Sequence, residues 1–220
     1  MKNGPERSLK SLNLKWLIAL ASADAILLAL FVAPELILSA TTTQLGLFRA
    51  VGAAVIPVLV LLLVNVLSSN VKAMLVYWMP LGWLPGCVAF TKYGPADPRI
   101  DMGALKKNIG AWGEDPKVQN SKWFKLYKSV ENVTEVASTQ KDFLMYRDMA
   151  VLSLPLIALA PLGLFIADAS KNAMWLAAGM FLVQYVMTAL SARHAGERFV
   201  CNVLALHAAN KVTKPKVSAA

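Results

Sequence analysis

The chain has 220 residues, 57% of them apolar and only 16% charged, with a mean hydropathy of +0.52 and a formal net charge of +9. So many apolar side chains exclude an ordinary soluble domain built on one core, and the balance predicts an all-α integral membrane protein. The basic excess comes with no recognised nucleic-acid motif and no aromatic-basic repeat, so anionic lipid headgroups, not nucleic acid, are the expected partner.

In chain order, residues 1–14 read as a cytoplasmic tail in which Asn3, Gly4 and Pro5 set no periodic pattern. Residues 15–69 read as a first transmembrane hairpin, with spans at Trp16–Ala33 and Ala50–Leu67. Lys10 and Lys15 precede the first span, but no small-x-small cleavage site follows it, which marks it as retained. Its small residues, Ala19, Ala21, Ser22, Ala23 and Ala25, form a patch that lets another helix approach closely. Asp24 sits in that patch and is expected to face protein or water, as an ion, proton or substrate contact or as a hydrogen-bonded packing residue. Glu35 belongs to the outer interface, and Pro57 and Asn65 leave span two with backbone groups for a neighbouring helix to satisfy.

Residues 70–91 are apolar enough to suggest a further crossing. Lys72, Pro80, Gly82, Pro85 and Gly86 divide them, however, and Tyr77, Trp78 and Trp83 favour the headgroup layer, so the segment reads as interfacial or shallowly re-entrant. Residues 92–147 form a small helical cytoplasmic insertion. Asp101 is placed to cap a short helix ending at Gly110, Asp115-Pro116 to start another, and Thr139 with Asp142 to form a capping box for a helix running on into the third span. On the middle helix Trp123 and Tyr127 share one side while Lys122, Lys125 and Lys128 line another. These five residues are the expected docking surface for membrane or a partner helix.

Residues 148–191 read as a second hairpin, Ala150–Leu190, turning at Asp168–Asn172. Pro155 and Pro161 can kink its first arm, and Gln184, Tyr185 and Thr188 give its second arm a polar side that can face the bundle. Residues 192–220 continue as a helix and tail outside the bilayer, with His194, Glu197, Arg198 and Cys201 on one face. Arg99, Asp101, Arg147, Asp148, His194, Glu197 and Arg198 are candidates for a polar cluster at the cytoplasmic mouth, the alternative for Arg147 being a snorkelling side chain. His194 and Cys201 are two turns apart, roughly 10 Å of rise, too far for a catalytic pair. Arg198 beside them opposes a cation, so neither metal nor cofactor is predicted, and the two cysteines fit no disulfide framework.

The fold class expected is thus four transmembrane helices, an interfacial or re-entrant segment and a helical insertion. Lys and Arg crowd the N-terminal tail, the insertion and the C-terminal tail, while only Arg49 and Lys171 lie in the short connections. This places both termini in the cytoplasm, with a bacterial inner membrane as the expected location. Three functions are compatible with this pattern: a non-enzymatic subunit that anchors or organises a homo- or hetero-oligomeric membrane assembly; an oligomeric channel, transporter or membrane-perturbing effector; and an enzyme at the cytoplasmic lipid interface, with Asp97, Asp101 and His194 near a headgroup phosphate.

Overall fold

The computed structural model describes residues 9–32, 62, 65–166 and 169–209, which hold helices and turns and no strand. The helices are α1 (Leu9–Val32), α2 (Ser69–Tyr77), α3 (Gly94–Ala96), α4 (Met102–Ile109), α5 (Pro116–Val130), α6 (Thr134–Ile166) and α7 (Lys171–Ala209). A 3-10 turn (Pro85–Val88) and a π turn (Ala89–Tyr93) precede α3. The greater part of the expected second span, with Glu35, Arg49 and Pro57, lies outside the described residues, as do the chain ends before Leu9 and after Ala209.

The spine is the α6–α7 hairpin. At 33 and 39 residues, its arms are about 50 and 58 Å long at ~1.5 Å per residue, well beyond a hydrocarbon core of ~30 Å. The excess lies at the end carrying Thr134 and Ala209. Between Lys171 and Arg193, α7 has no charged residue, and Trp175, Leu182, Val183 and Met187 stand exposed there, as lipid-facing side chains do. Beyond Arg193 the pattern inverts, with Ala195, Phe199, Val200, Val203 and Leu204 buried.

Small residues set the close approach of the two arms. Ala177, Ala189, Ala192 and Ala195 are fully buried along α7, and Phe181 fills the space beside Ala160 and Leu164 of α6. Pro155 and Pro161 each remove one helical hydrogen bond, yet α6 stays helical through both. α1 packs on α6 through Leu17 against Leu152 and through Leu27 and Leu28 beside Leu156 and Ala160, and Asn13 Nδ2 donates to the Lys141 carbonyl at 2.8 Å.

Around the projecting end, α2–α5 wrap a second core. Phe199 of α7 is its centre, met edge-on by Trp123 at 5.1 Å and by Tyr127 at 5.3 Å; Phe90 stacks on Trp112 at 4.9 Å. Local chemistry places the helix ends. Asp101 Oδ1 accepts from the Gly103 and Ala104 amides, Asp115 Oδ1 from those of Lys117 and Val118, and α4 stops at Gly110 with φ 77°. Lys122 donates to the Gly110 and Ala111 carbonyls past the end of α4, and Asn108 Nδ2 to the His207 and Ala208 carbonyls at the end of α7.

Two expectations are corrected. The capping box at Thr139 does not form: α6 begins five residues earlier in the chain, at Thr134, and the Thr139 hydroxyl donates back to the Glu135 and Val136 carbonyls. Among the described residues three helices are long and apolar enough to span: α1 with its window Asn13–Leu30, α6 and α7. The three candidate spans among the described residues are an odd number, which puts the two termini on opposite sides and overturns the placement of both in the cytoplasm. Within residues 70–91 no helix is long enough to cross, since α2 has nine residues, about 13 Å.

Candidate functional site

Three polar assemblies occupy the hairpin at successive heights. The deepest joins all three long helices: Gln184 Nε2 of α7 donates to Asp24 Oδ2 of α1 at 3.1 Å and to Ser153 Oγ of α6 at 3.0 Å. Asp24 is 7% exposed and faces protein, as the cost of a carboxylate in hydrocarbon requires. Tyr185, the next residue, turns to another face, where its hydroxyl donates to the Leu75 carbonyl at 2.6 Å and accepts from Trp78 Nε1 at 3.0 Å. Asn65 lies in helical backbone at an exposed position.

The middle assembly fastens α2 to the hairpin. Asp148 Oδ1 accepts from Lys72 Nζ at 2.9 Å and from Arg147 Nη2 at 3.1 Å, with the three residues 4, 2 and 5% exposed respectively. A carboxylate shared by two cations in a buried site is held by mutual need, because removing it strands charge. On α7, Arg193 Nε donates to the Val76 carbonyl at 2.7 Å while its guanidinium stacks on Trp78 at 3.7 Å. The last carbonyls of α2 thereby find donors on α7, and Trp78 ends the helix in a left-handed conformation, φ 55°.

The outermost assembly is a cleft of about 890 Å³ between the α6–α7 face and the loop before α4. It gathers Arg99, His194, Glu197 and Arg198 of the expected polar cluster, joins to them Asp97, which the enzyme reading grouped with His194, and adds Tyr146, which no sequence signal singled out for it. Asp97 and Arg99 satisfy each other through bonds of 2.7 to 3.2 Å, and Arg99 also reaches Asn202 at 3.1 Å. Hydrogen bonds from Arg99 bring the Asp97 carboxyl down to about 2, so it is ionised at neutral pH. Asp101, Arg147 and Asp148 do not line the cleft: the first is the α4 cap and the other two lie with Lys72. Burial pushes the Cys201 thiol up to about 12, so it is no thiolate nucleophile near neutrality. Among the described residues no group of three or more His, Cys, Asp or Glu could hold a metal ion.

The five residues of the expected docking surface part company. Trp123 and Tyr127 are core residues of the projecting domain, and Lys122 is engaged with the backbone after α4. Lys125 and Lys128 remain exposed beside Phe124, with Lys128 paired to Glu131 at 2.6 Å. A helix with one aromatic side and one basic side has the same sequence pattern whether the aromatic side meets membrane or core. Here a domain core takes it.

These features define a helical membrane-embedded protein whose spanning hairpin continues into a compact helical domain. Comparison with protein-family models, curated proteins and solved structures finds no match.

Proposed function

We propose that the protein is a non-enzymatic integral membrane subunit that anchors or organises a membrane protein assembly. The observation that carries this reading is the continuity of α6 and α7 from bilayer to domain, locked by the buried Lys72–Asp148–Arg147 cluster. Without a hinge between span and domain, the domain is presented at a set height and angle, as an anchoring part requires. The exposed residues Lys117, Val118, Phe124 and Lys125 of α5, with Lys106 and Lys107 exposed on α4, offer uncovered positions for a partner or for anionic headgroups. Trp78, Met79 and Leu81 form an exposed apolar loop tied by Trp78 to Tyr185, within the uncharged stretch of α7, which supports an interfacial position for that segment.

A second reading, an oligomeric channel or transporter, draws on the Asp24–Gln184–Ser153 contact, a polar junction among three spans. Native mass spectrometry of the full chain released from lipid nanodiscs separates the two when combined with a flux assay. The assembly reading expects a defined oligomer or a co-purifying partner and no flux in sealed vesicles. A monomer without partners overturns it, and flux abolished by Asp24→Asn transfers the assignment to transport.

A further inference from the structure

We infer that the cleft between Arg99 and Arg198 binds the headgroup of a zwitterionic aminophospholipid, a phosphoethanolamine joined to acyl chains. The inference rests on the depth of the spans and is independent of the assembly reading. Tyr146 and Ser191, which line the cleft, stand at the ends of the uncharged stretches of α6 and α7, where headgroups meet water. The cleft's stripe along α7 continues toward the bilayer without a break: His194 and Ser191 are followed, at helical spacing, by the exposed Met187 and Val183. A charged recess beside an exposed apolar helix face suits an amphiphile. Its volume of about 890 Å³ falls within the roughly 300–1,000 Å³ of small-molecule sites.

The charges select the headgroup. Asp97 and Arg99 are committed to each other, whereas the side chains of His194, Glu197 and Arg198 make no hydrogen bond or ion pair with any described residue. One carboxylate and one guanidinium, adjacent in sequence and both free, match an ammonium and a phosphate two carbons apart. Phosphatidylglycerol would engage Arg198 and leave Glu197 without a cation. Phosphatidylcholine would bring a cation with no N–H to donate.

The test is lipid retention by the full chain in native mass spectrometry, with phosphatidylethanolamine, phosphatidylglycerol and phosphatidylcholine of identical acyl chains. Wild type should retain phosphatidylethanolamine about tenfold better than the other two, the ratio one charge-assisted hydrogen bond confers. Glu197→Gln should abolish that preference while keeping phosphatidylglycerol; Arg198→Gln should lower retention of all three. Glu197→Asp, which keeps the charge, should restore the preference and separates recognition from any loss of folding. Equal retention of the three lipids by wild type, or a preference that survives Glu197→Gln, overturns the inference. Competition by free phosphoethanolamine at the same concentration as the lipid overturns the lipid assignment in favour of a soluble ligand.

Discussion

The joint between the membrane hairpin and the projecting domain is tightest at Gly196. A Cβ built there would overlap the Tyr77 hydroxyl and lie 3.1 and 3.2 Å from ring carbons of Phe143. α2 meets α7 at that point, so Gly196→Ala must push the helices apart or drive Tyr77 off its rotamer, at a cost of about 1–3 kcal/mol. The Tyr77 hydroxyl is itself buried without a hydrogen-bond partner, and such a group costs ~1–3 kcal/mol. Tyr77→Phe alone should therefore leave stability unchanged or raise it. In the Tyr77→Phe background Gly196→Ala loses its worst overlap, so its penalty should fall by about 1 kcal/mol, the Phe143 contact remaining. Gly179→Ala, where a Cβ meets nothing within 4 Å, is the control and should cost nothing. The assay is reversible unfolding of the purified chain in mixed micelles as denaturing detergent rises, followed by tryptophan fluorescence. Full wild-type stability in Gly196→Ala, or an equal loss in both backgrounds, would refute the packing argument.

Asp148→Leu should cost about 3–5 kcal/mol in the same assay, because Lys72 and Arg147 are left buried beside each other. Asp97→Asn, which breaks a pair whose arginine is largely exposed, should cost less than about 1 kcal/mol; a larger loss there would show that the cleft is structural. A cycle of Gln184→Leu and Asp24→Leu should give a coupling of ~0.6 kcal/mol, at most ~1.7, and none if their bond does not persist in lipid. Burial holds His207 below its ordinary value of 6.5, so as pH falls through that value the unfolded chain takes up a proton that the folded one resists. Stability should therefore decline from pH 7 to pH 5. Thermal unfolding of His207→Gln should show a flatter profile, and an unchanged slope would remove His207 as the cause.

Much of the helix framework was legible because its signals are local. Asp101, Gly110 and the Asp115-Pro116 pair act on amides within a turn of themselves, and each marks the helix boundary expected of it. Asp24 was legible by elimination, since a carboxylate in hydrocarbon has few places to go. Contacts between distant elements were not. Lys72 and Asp148 are separated by 76 positions, and nothing in the residues around Lys72 distinguishes a buried ion pair from a snorkelling amine. Trp123 and Tyr127 misled for a related reason, because periodicity reports that a face is apolar without saying what covers it. The cleft was half visible: the α7 stripe from His194 to Cys201 has helical spacing, but Asp97 and Tyr146 reach it only through tertiary folding.

One uninterrupted hairpin serves as membrane span and as spine of the outer domain. A nitroxide scan along α7 in nanodiscs, residues 175–206, with paired oxygen and nickel-chelate accessibilities, tests it directly. A continuous α7 gives a helical period throughout. High oxygen accessibility should mark the lipid-facing positions Trp175, Leu182, Val183 and Met187, giving way beyond Arg193 to low accessibility to both reagents at Phe199, Val203 and Leu204. A lipid-like oxygen signal continuing through Leu204, or a break in the helical period near Arg193, would contradict it.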